Sequence, residues 1–305
     1  MKTRKKAGIR LPAFAKINLR LDVVGKRPDG YHELRTVFQA ISLHDTLDLA
    51  LTPKPGITLE VSDANLSAGP DNLVHRAIDA IAREIGYKGG IAARLEKRIP
   101  VARGLGGGSS DAAAALIGML RLTKSELPLA RLIEITASLG ADVPFFLFGG
   151  CAVAVNRGDE IYPLPNLPKR TVVVVSPKGI GVSTKEAYGW LDASPAEELT
   201  NRPATPKIWG FCALCWSRQG AGVSNDFEGP VFRRHPRLGE IRAGLLQGGA
   251  ADAALAGSGS AVFGVFRNPA QARRTARKFP EDTVFVVESL SREEYARRSG
   301  WRVSG

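Results

Sequence analysis

The most informative stretch of this 305-residue sequence is a run of small residues before position 111, Arg103-Gly-Leu-Gly-Gly-Gly-Ser-Ser110. Four glycines in five positions let the backbone turn without obstruction, so that several N–H groups can point into one cavity. Ser109 then opens an alanine-rich segment typical of a helix, whose free N–H groups and positive dipole end favour anions. Together the loop and the helix start predict a phosphate site.

Two familiar phosphate-binding templates do not match this loop. A Walker loop requires Lys and then Ser or Thr after its last glycine, but Gly108 is followed by two serines. The dinucleotide fingerprint requires a glycine at the sixth position from Gly104, where Ser109 stands instead. A glycine turn that serves packing alone is the remaining alternative, and it is disfavoured because glycine beside a helix start costs stability.

Two charged residues in apolar surroundings are candidates for catalysis. Asp142 is a lone carboxylate just before Val143-Pro144, and Lys16 lies in a strand-like segment with uncharged neighbours. A Lys–Asp pair beside a phosphate loop could ionise a hydroxyl and screen a developing phosphoryl charge. Taken singly, each could also be a cap or a surface charge. A third small-residue run, Ala256-Gly-Ser-Gly-Ser-Ala261, reads by itself as a hairpin turn.

The composition describes an ordinary globular chain, with 44% hydrophobic and 24% charged residues. The net charge of +12 is compatible with nucleic acid, an acidic membrane surface or phosphorylated small substrates. No apolar stretch approaches the roughly 20 residues of a membrane helix, and we expect a non-secreted, cytoplasmic protein. Three cysteines are too few for a disulfide scaffold. Cys212 and Cys215 have CxxC spacing, but with no second pair they are expected to be core residues rather than metal ligands.

The elements that must position these residues alternate between strands and helices. Period-two patterns predict strands, and caps with 3.6-residue periodicity predict helices. The turn Arg27-Pro-Asp-Gly30 separates the first two strands, Asp71 is expected to cap the first helix, and Ser183 a later one. Predicted strands are 13–24, 34–43, 47–51, 57–61, 91–99, 151–155, 171–175, two within 250–266, and 283–287; predicted helices are 71–85, from 109 onward, 128–139, 183–190, 236–247 and 269–279. This mixture favours an α+β fold, with a domain boundary near residue 165 that separates 1–165 from 166–305.

The three motifs, in this order and spacing, resemble those of the GHMP small-molecule kinases. Pro100–Asp111, Gly140–Pro144 and Gly257–Ala261 carry that resemblance. The similarity runs from about Pro12 to Phe266. Within the superfamily, the sequence most closely resembles the members that act on a CDP-linked methylerythritol. The segments that carry this closer resemblance are Ala15-Lys-Ile-Asn-Leu19, Pro28-Asp-Gly-Tyr-His-Glu-Leu34, Gly104-Leu-Gly-Gly-Gly-Ser-Ser110 and Asn225-Asp-Phe-Glu228.

The resemblance implies a two-domain α+β kinase with its active site in the cleft between the domains. It implies ATP-dependent phosphorylation, with Mg²⁺, of the 2-hydroxyl of 4-CDP-2-C-methyl-D-erythritol in the non-mevalonate route to isoprenoid precursors. The 1–165 domain would bind ATP, and the 166–305 domain would contribute to substrate binding. No membrane or specific nucleic-acid partner is expected, and the chain would be a monomer or a weak homodimer.

Site roles follow from the same resemblance. Asp142 would be the catalytic base and Lys16 its partner. Tyr31 would stack on cytosine and His32 would hydrogen-bond its edge, while Tyr188 is a candidate for the second stacking aromatic. The substrate would also meet Asn18, Gly257, Ser258 and Gly259. ATP would be held by Pro100, Val101, Ala102, Arg103, Gly104, Leu105, Gly106, Gly107, Gly108, Ser109 and Ser110.

Two other functions remain open from the sequence. One is a different kinase of the superfamily that acts on a small alcohol without a nucleotide handle. The other is a basic nucleic-acid-binding protein, suggested by the net charge and expected to show strongly salt-dependent binding. Arg103, just before the glycines, could reach a phosphate or face solvent.

Overall fold

The computed structural model describes residues 8–194 and 223–302. Within these ranges the strands are β1 (Gly8–Lys26), β2 (His32–Thr52), β3 (Gly56–Val61), β4 (Gly90–Glu96), β5 (Cys151–Val155), β6 (Glu160–Pro163), β7 (Thr171–Ser176), β8 (Ser224–Asn225), β9 (Asp252–Leu255), β10 (Val262–Phe266) and β11 (Thr283–Glu288). The helices are α1 (Leu73–Glu84), α2 (Gly107–Thr123), α3 (Leu129–Leu139), α4 (Phe145–Phe148), α5 (Thr184–Asp192), α6 (Glu228–Arg234), α7 (Pro236–Gln247), α8 (Pro269–Ala276) and α9 (Arg292–Ser299).

A long antiparallel hairpin, β1 and β2, forms the centre of the first sheet. Its register runs from Lys26 opposite His32 to Gly8 opposite Ala50. The sheet order is β3-β4-β2-β1-β8, and β5 pairs with both β2 and β6. The strands predicted at 34–43 and 47–51 are one continuous strand, because no Gly or Pro interrupts the chain between them.

Helices α1 to α4 bury one face of this sheet in the largest core cluster. Helix α2 is buried on nearly every side from Ser110 to Leu120, which explains its run of alanine, leucine and isoleucine. The expected N-cap of α1 is corrected by one residue. Asn72, rather than Asp71, accepts the Val74 N–H, whereas Asp71 accepts a hydrogen bond from Ser67.

The second sheet has the order β11-β7-β10-β9 and is covered on both faces. In β7, Val173 and Val175 pack with helices α5 to α8. Val172 and Val174 point the other way and pack with residues of β1 and β2, such as Ile17 and Ile41. An unbroken valine run is the pattern expected of a strand buried on both faces. The two sheets therefore share a core.

The last described segment returns to the first core. Leu290 and Tyr295 belong to the cluster around α1 and α2, and the Tyr295 hydroxyl donates to the Phe146 carbonyl at 2.7 Å. Helix α9 was not among the predicted helices. The domain boundary near residue 165 stays a prediction. Although β8 and α9 follow that boundary in the sequence, β8 pairs with the first sheet and α9 packs in its core.

The predicted α+β class and most of the predicted elements are confirmed. Ser183 caps α5 through a reciprocal pair of hydrogen bonds with Glu186, and α7 spans the expected residues. In the part of the chain that the structure describes, no helix combines the length and apolar character needed to cross a membrane. Cys151 is buried, while Cys212 and Cys215 lie outside the described residues.

Candidate active site

The glycine-rich loop enters α2 through two glycines in the left-handed region. Gly104 has φ +76° and Gly106 has φ +71°, and Gly106 is the N-cap residue of α2. A side chain at Gly104 would come within 1.8 Å of the Ala256 carbonyl oxygen. The loop can therefore lie against the Ala256–Ala261 turn only if residue 104 is glycine.

Four hydrogen bonds hold this third motif in place, two of them with the loop. The Ala261 N–H donates to the Arg103 carbonyl at 3.3 Å, and the Arg103 guanidinium donates to the Ser260 hydroxyl. From the other side, the Asn225 amide donates to the carbonyls of Leu255 and Gly257, at 2.8 and 2.7 Å. Arg103, whose target the sequence left open, thus reaches Ser260 and joins two motifs.

Lys16 and Asp142 form an ion pair beneath this loop. Lys16 Nζ lies 3.3 Å from Asp142 Oδ2, and the lysine side chain is 4% exposed while the carboxylate is 33% exposed. The β1–β2 register shifts between Phe14 and Lys16. Such irregularities re-aim side chains, and they are frequent beside active sites. The Lys16 N–H also donates to the Leu105 carbonyl, at 2.9 Å, so the strand and the glycine loop are joined directly.

A buried chain of hydrogen bonds orients the lysine. Lys16 Nζ donates to Asn18 Oδ1 at 2.9 Å, Asn18 Nδ2 donates to Thr36 Oγ1 at 2.8 Å, and the Thr36 hydroxyl donates to the Arg20 carbonyl at 2.6 Å. The ammonium also lies 5.0 Å from the centre of the Phe38 ring. These contacts fix the position of the ammonium beside the partly exposed Asp142 carboxylate. Sequence reasoning missed Thr36, since nothing in its surroundings distinguishes it.

A cavity of about 620 Å³ joins the predicted motifs. Its lining includes Lys16, Asn18, Asp142, Gly257 and Ser258, together with all residues from 100 to 109. From the second half of the chain, Thr184 and Tyr188 of α5 complete the wall. A volume in this range is typical of small-molecule sites.

One end of the cavity is bounded by aromatic side chains. The His32 ring stacks on Tyr188 with 4.4 Å between ring centres, and His32 Nε2 lies 2.7 Å from Asp192 Oδ1. Burial alone would raise the pKa of Asp192, but the hydrogen bonds from His32 and Lys26 hold that pKa below its ordinary value. Burial raises the pKa of the Tyr188 phenol, and the carboxylates of Asp142 and Asp192 raise it further.

Comparison with known proteins identifies the family. The model for the GHMP kinases N terminal domain matches residues 72–150, and the model for GHMP kinases C terminal matches residues 208–283. A 4-diphosphocytidyl-2-C-methyl-D-erythritol kinase from Solibacter usitatus (strain Ellin6076) is 46% identical over 99% of this chain and 94% of its own length. The chain belongs to the 4-diphosphocytidyl-2-C-methyl-D-erythritol kinase family.

Further relatives agree with this assignment. The enzyme of the same name from Geobacter sp. (strain M21) is 42% identical over 88% of this chain and 93% of its own. A crystal structure of 4-(cytidine 5'-diphospho)-2C-methyl-D-erythritol kinase superposes with a TM-score of 0.76 at 35% identity, covering 92% of this chain and 99% of that one. Homoserine kinase from Cytophaga hutchinsonii, at 18% identity and a TM-score of 0.68 over 95% of this chain and 97% of its own, shares the fold. The resemblance stated from the sequence is confirmed.

Four residues predicted for the site do not line the cavity of this family member. Ser110 is buried against the core, and Gly259 lies behind Ser258 in the third motif. The His32 side chain is 9% exposed, stacked on Tyr188 and close to Asp192, and Tyr31, in the turn between β1 and β2, is 58% exposed. Their assignment to ATP or substrate stays a prediction.

Lys97 and Asp111 of the cavity lining belong to a buried cluster of ionisable side chains that the sequence motifs did not predict. Lys97 Nζ lies 2.6 Å from Asp111 Oδ2 and also binds Asp45, whose other oxygen accepts the Ile99 N–H at 2.8 Å. Burial raises the pKa of Asp111 to about 8, with Lys97 opposing and Asp45 reinforcing that rise. Asp111 Oδ1 is buried and has no hydrogen-bond partner among the described residues. This cluster ties the strand before the glycine loop to the first turn of α2.

Among the residues that the structure describes, no three His, Cys, Asp or Glu side chains are grouped to hold a metal ion. A kinase site does not need such a group, because Mg²⁺ commonly binds through substrate phosphates and one or two carboxylates. We therefore assign no residue of this chain as a metal ligand.

Proposed function

We propose that this chain is an ATP-dependent kinase that phosphorylates the 2-hydroxyl of 4-CDP-2-C-methyl-D-erythritol. The single observation that supports this most strongly is the Lys16–Asp142 pair, in one cavity with the N-terminus of α2 and its glycine loop. An anion site and a hydroxyl-activating pair in one cavity are what a small-molecule kinase requires.

The loop and α2 bind the nucleotide phosphates. Backbone N–H groups around Gly106 and the positive end of the α2 dipole attract phosphate oxygens. Because the third motif packs on Gly104, it closes the same pocket from the second half of the chain. Mg²⁺ bound with ATP would neutralise part of the phosphate charge.

Asp142 and Lys16 act on the acceptor. The hydroxyl oxygen forms a bond to the γ-phosphorus, the bond from that phosphorus to the β–γ bridging oxygen breaks, and ADP leaves. The hydroxyl proton passes to the Asp142 carboxylate, and the fixed Lys16 ammonium stabilises negative charge on the attacking oxygen and the transferred group. The Asn18–Thr36 chain keeps the ammonium in place.

The aromatic end of the cavity binds the cytosine. Tyr31 supplies a stacking face, His32 a hydrogen bond to the base edge, and Tyr188 the second aromatic surface. What supports these roles is the position of Tyr188 in the cavity wall, with His32 against it. We further propose that the enzyme is cytoplasmic, in keeping with its three cysteines.

The test is ADP release from Mg-ATP in the presence of 4-CDP-2-C-methyl-D-erythritol. We expect turnover that depends on this substrate and that falls by about 100-fold or more in Asp142→Asn. Asp79→Asn, the same chemical change on α1, is the matched control and should retain full activity. Substrate-dependent turnover that survives Asp142→Asn would leave the carboxylate with an orienting role.

ADP release with other acceptors and a separate DNA-binding measurement distinguish the two alternative functions. Turnover with homoserine or mevalonate, and none with the CDP-linked substrate, would favour another GHMP kinase. Tight, salt-dependent binding of duplex DNA by a folded protein without kinase activity would favour the nucleic-acid-binding alternative.

A further inference from the structure

Two turns meet at the rim of the cavity and are fixed to each other. In the turn between β1 and β2, the Arg27 N–H donates to the Tyr31 carbonyl at 2.7 Å and the Tyr31 N–H donates to Asp29 Oδ1 at 3.1 Å. This turn is joined to the β5–β6 turn because the Leu34 N–H donates to the Asn156 carbonyl at 2.7 Å and the Arg27 guanidinium donates to the Asn156 side chain.

Between these turns, Arg157 lies over the ring of Tyr31. The guanidinium carbon is 5.2 Å from the ring centre. The guanidinium is itself held, because Nε and one terminal nitrogen donate to Asp159 Oδ2 at 3.1 and 2.7 Å. Asp159 is 8% exposed, so the anchor for the arginine is a buried carboxylate. Its hydrogen bond raises the pKa of Arg157.

This arrangement leaves Tyr31 with one face covered and much of its surface open. The residue is 58% exposed, although it is large and apolar. Gly158, the next residue after Arg157, lines the cavity, and so does Leu34, three residues after Tyr31, so the covered ring stands beside the cavity wall. A planar ligand that extends out of the cavity at this end would contact a tyrosine ring whose orientation is already fixed.

We propose that Arg157 is a positioning residue for the nucleobase of the substrate: its guanidinium lies over one face of the Tyr31 ring and holds the ring in the orientation in which the other face stacks on cytosine. This inference rests on the proposed function. A cation over one ring face is attracted to it. An aromatic ring ordered in advance also loses less conformational freedom when a base binds to its other face.

The first experiment measures CDP binding by titration calorimetry, without ATP, and steady-state kinetics with the full substrate. Arg157→Met keeps the side-chain length and removes the charge. We expect Kd for CDP and KM for the CDP-linked substrate to rise about three- to tenfold, with kcat and KM for ATP unchanged. Arg157→Lys keeps a cation and should recover part of the loss. Arg131→Met, which removes a surface arginine paired with Glu84 and Glu134 on α1 and α3, is the control and should bind CDP as the wild type does.

A double-mutant cycle with Tyr31→Leu tests whether Arg157 acts through the ring. If it does, Arg157→Met should have no further effect on CDP binding once the ring is removed. A loss of equal size in both backgrounds would overturn the proposal, because Arg157 would then act directly on the diphosphate or on the fold. Thermal unfolding of each variant shows that the comparisons are made on folded protein.

The remaining outcomes are distinct. Wild-type protein that neither binds CDP nor phosphorylates the CDP-linked substrate would refute the proposed function itself. Wild-type protein that does both, with Arg157→Met unchanged in Kd and KM, would refute only the positioning role.

Discussion

The Lys16 ammonium of strand β1 and the Asp142 carboxylate of the turn before α4 lie 3.3 Å apart in the lining of the cavity. The lysine is almost fully buried, and its other close oxygen is the amide of Asn18. A buried ammonium with one carboxylate partner that is partly open to the cavity is suited to interact with an incoming anion.

Replacement of Lys16 by Met should therefore abolish most of the activity. The substitution keeps the aliphatic stem and removes the charge that stabilises the attacking oxygen and the transferred group. We expect kcat to fall by about 100-fold or more, measured as ADP release with saturating ATP and CDP-linked substrate. Lys54→Met, an exposed lysine in the β2–β3 turn, is the control and should leave kcat unchanged. Activity within a few-fold of wild type in Lys16→Met would contradict a catalytic role for the ammonium.

The fold could be predicted from the sequence largely where the signals are local. Period-two alternation located β1, and a serine suited to cap a helix located α5. Ser291 is a comparable signal for α9, and its hydroxyl accepts the Glu294 N–H at 3.1 Å, although this helix was not predicted. The pairing of β8 with β1 could not be predicted, since a two-residue strand carries almost no pattern of its own.

For the site, the motifs were visible but the contacts between them were not. Glycine at 104 is predictable as a flexible loop residue, yet the Ala256 carbonyl that excludes a side chain there comes from the second half of the chain. Similarly, Lys97 meets Asp45 and Asp111 only because β2, β4 and α2 are adjacent in space. Charge and spacing along the sequence do not encode such proximity.

Gly104→Ala should disrupt the junction of the first and third motifs. The residue has φ +76°, and the added methyl group would meet the Ala256 carbonyl at 1.8 Å. We expect the free energy of unfolding to fall by at least about 1 kcal/mol, measured by chemical denaturation, and the KM for ATP to rise. Gly25→Ala is the matched control, because no atom lies within 4 Å of a methyl group there and its φ is not in the left-handed region. Equal stability of the two variants would show that the loop does not need glycine at 104.

Asn225→Ala should destabilise the third motif from its other side. The buried amide donates to the Leu255 and Gly257 carbonyls, and its oxygen accepts the Phe227 N–H at 2.9 Å. The substitution leaves three buried backbone groups without their partner, so we expect a loss of about 2–4 kcal/mol in the free energy of unfolding. Asn65→Ala removes an exposed amide that donates to nearby Asp63, and it should change stability by less than about 0.5 kcal/mol. A loss as small as that in Asn225→Ala would mean that water replaces the amide.

Asp111 should make the stability of the protein depend on pH. Burial raises its pKa from the ordinary 3.8 to about 8. Between these values the unfolded chain has lost the proton while the folded chain still holds it, so the free energy of unfolding decreases as the pH rises. The decrease is at most about 1.4 kcal/mol per pH unit, and it levels off above pH 8.

Asp111→Asn cannot titrate at this position and isolates the effect. We expect the stability of wild type relative to Asp111→Asn to fall steadily from pH 5 to pH 8, measured by urea denaturation at each pH. The comparison with the variant cancels the titration of distant groups, whereas Lys97 and Asp45 interact directly with Asp111 and titrate as one cluster with it. Parallel stability curves over this range would mean that Asp111 is ionised in the folded protein and that Lys97 outweighs the cost of its burial.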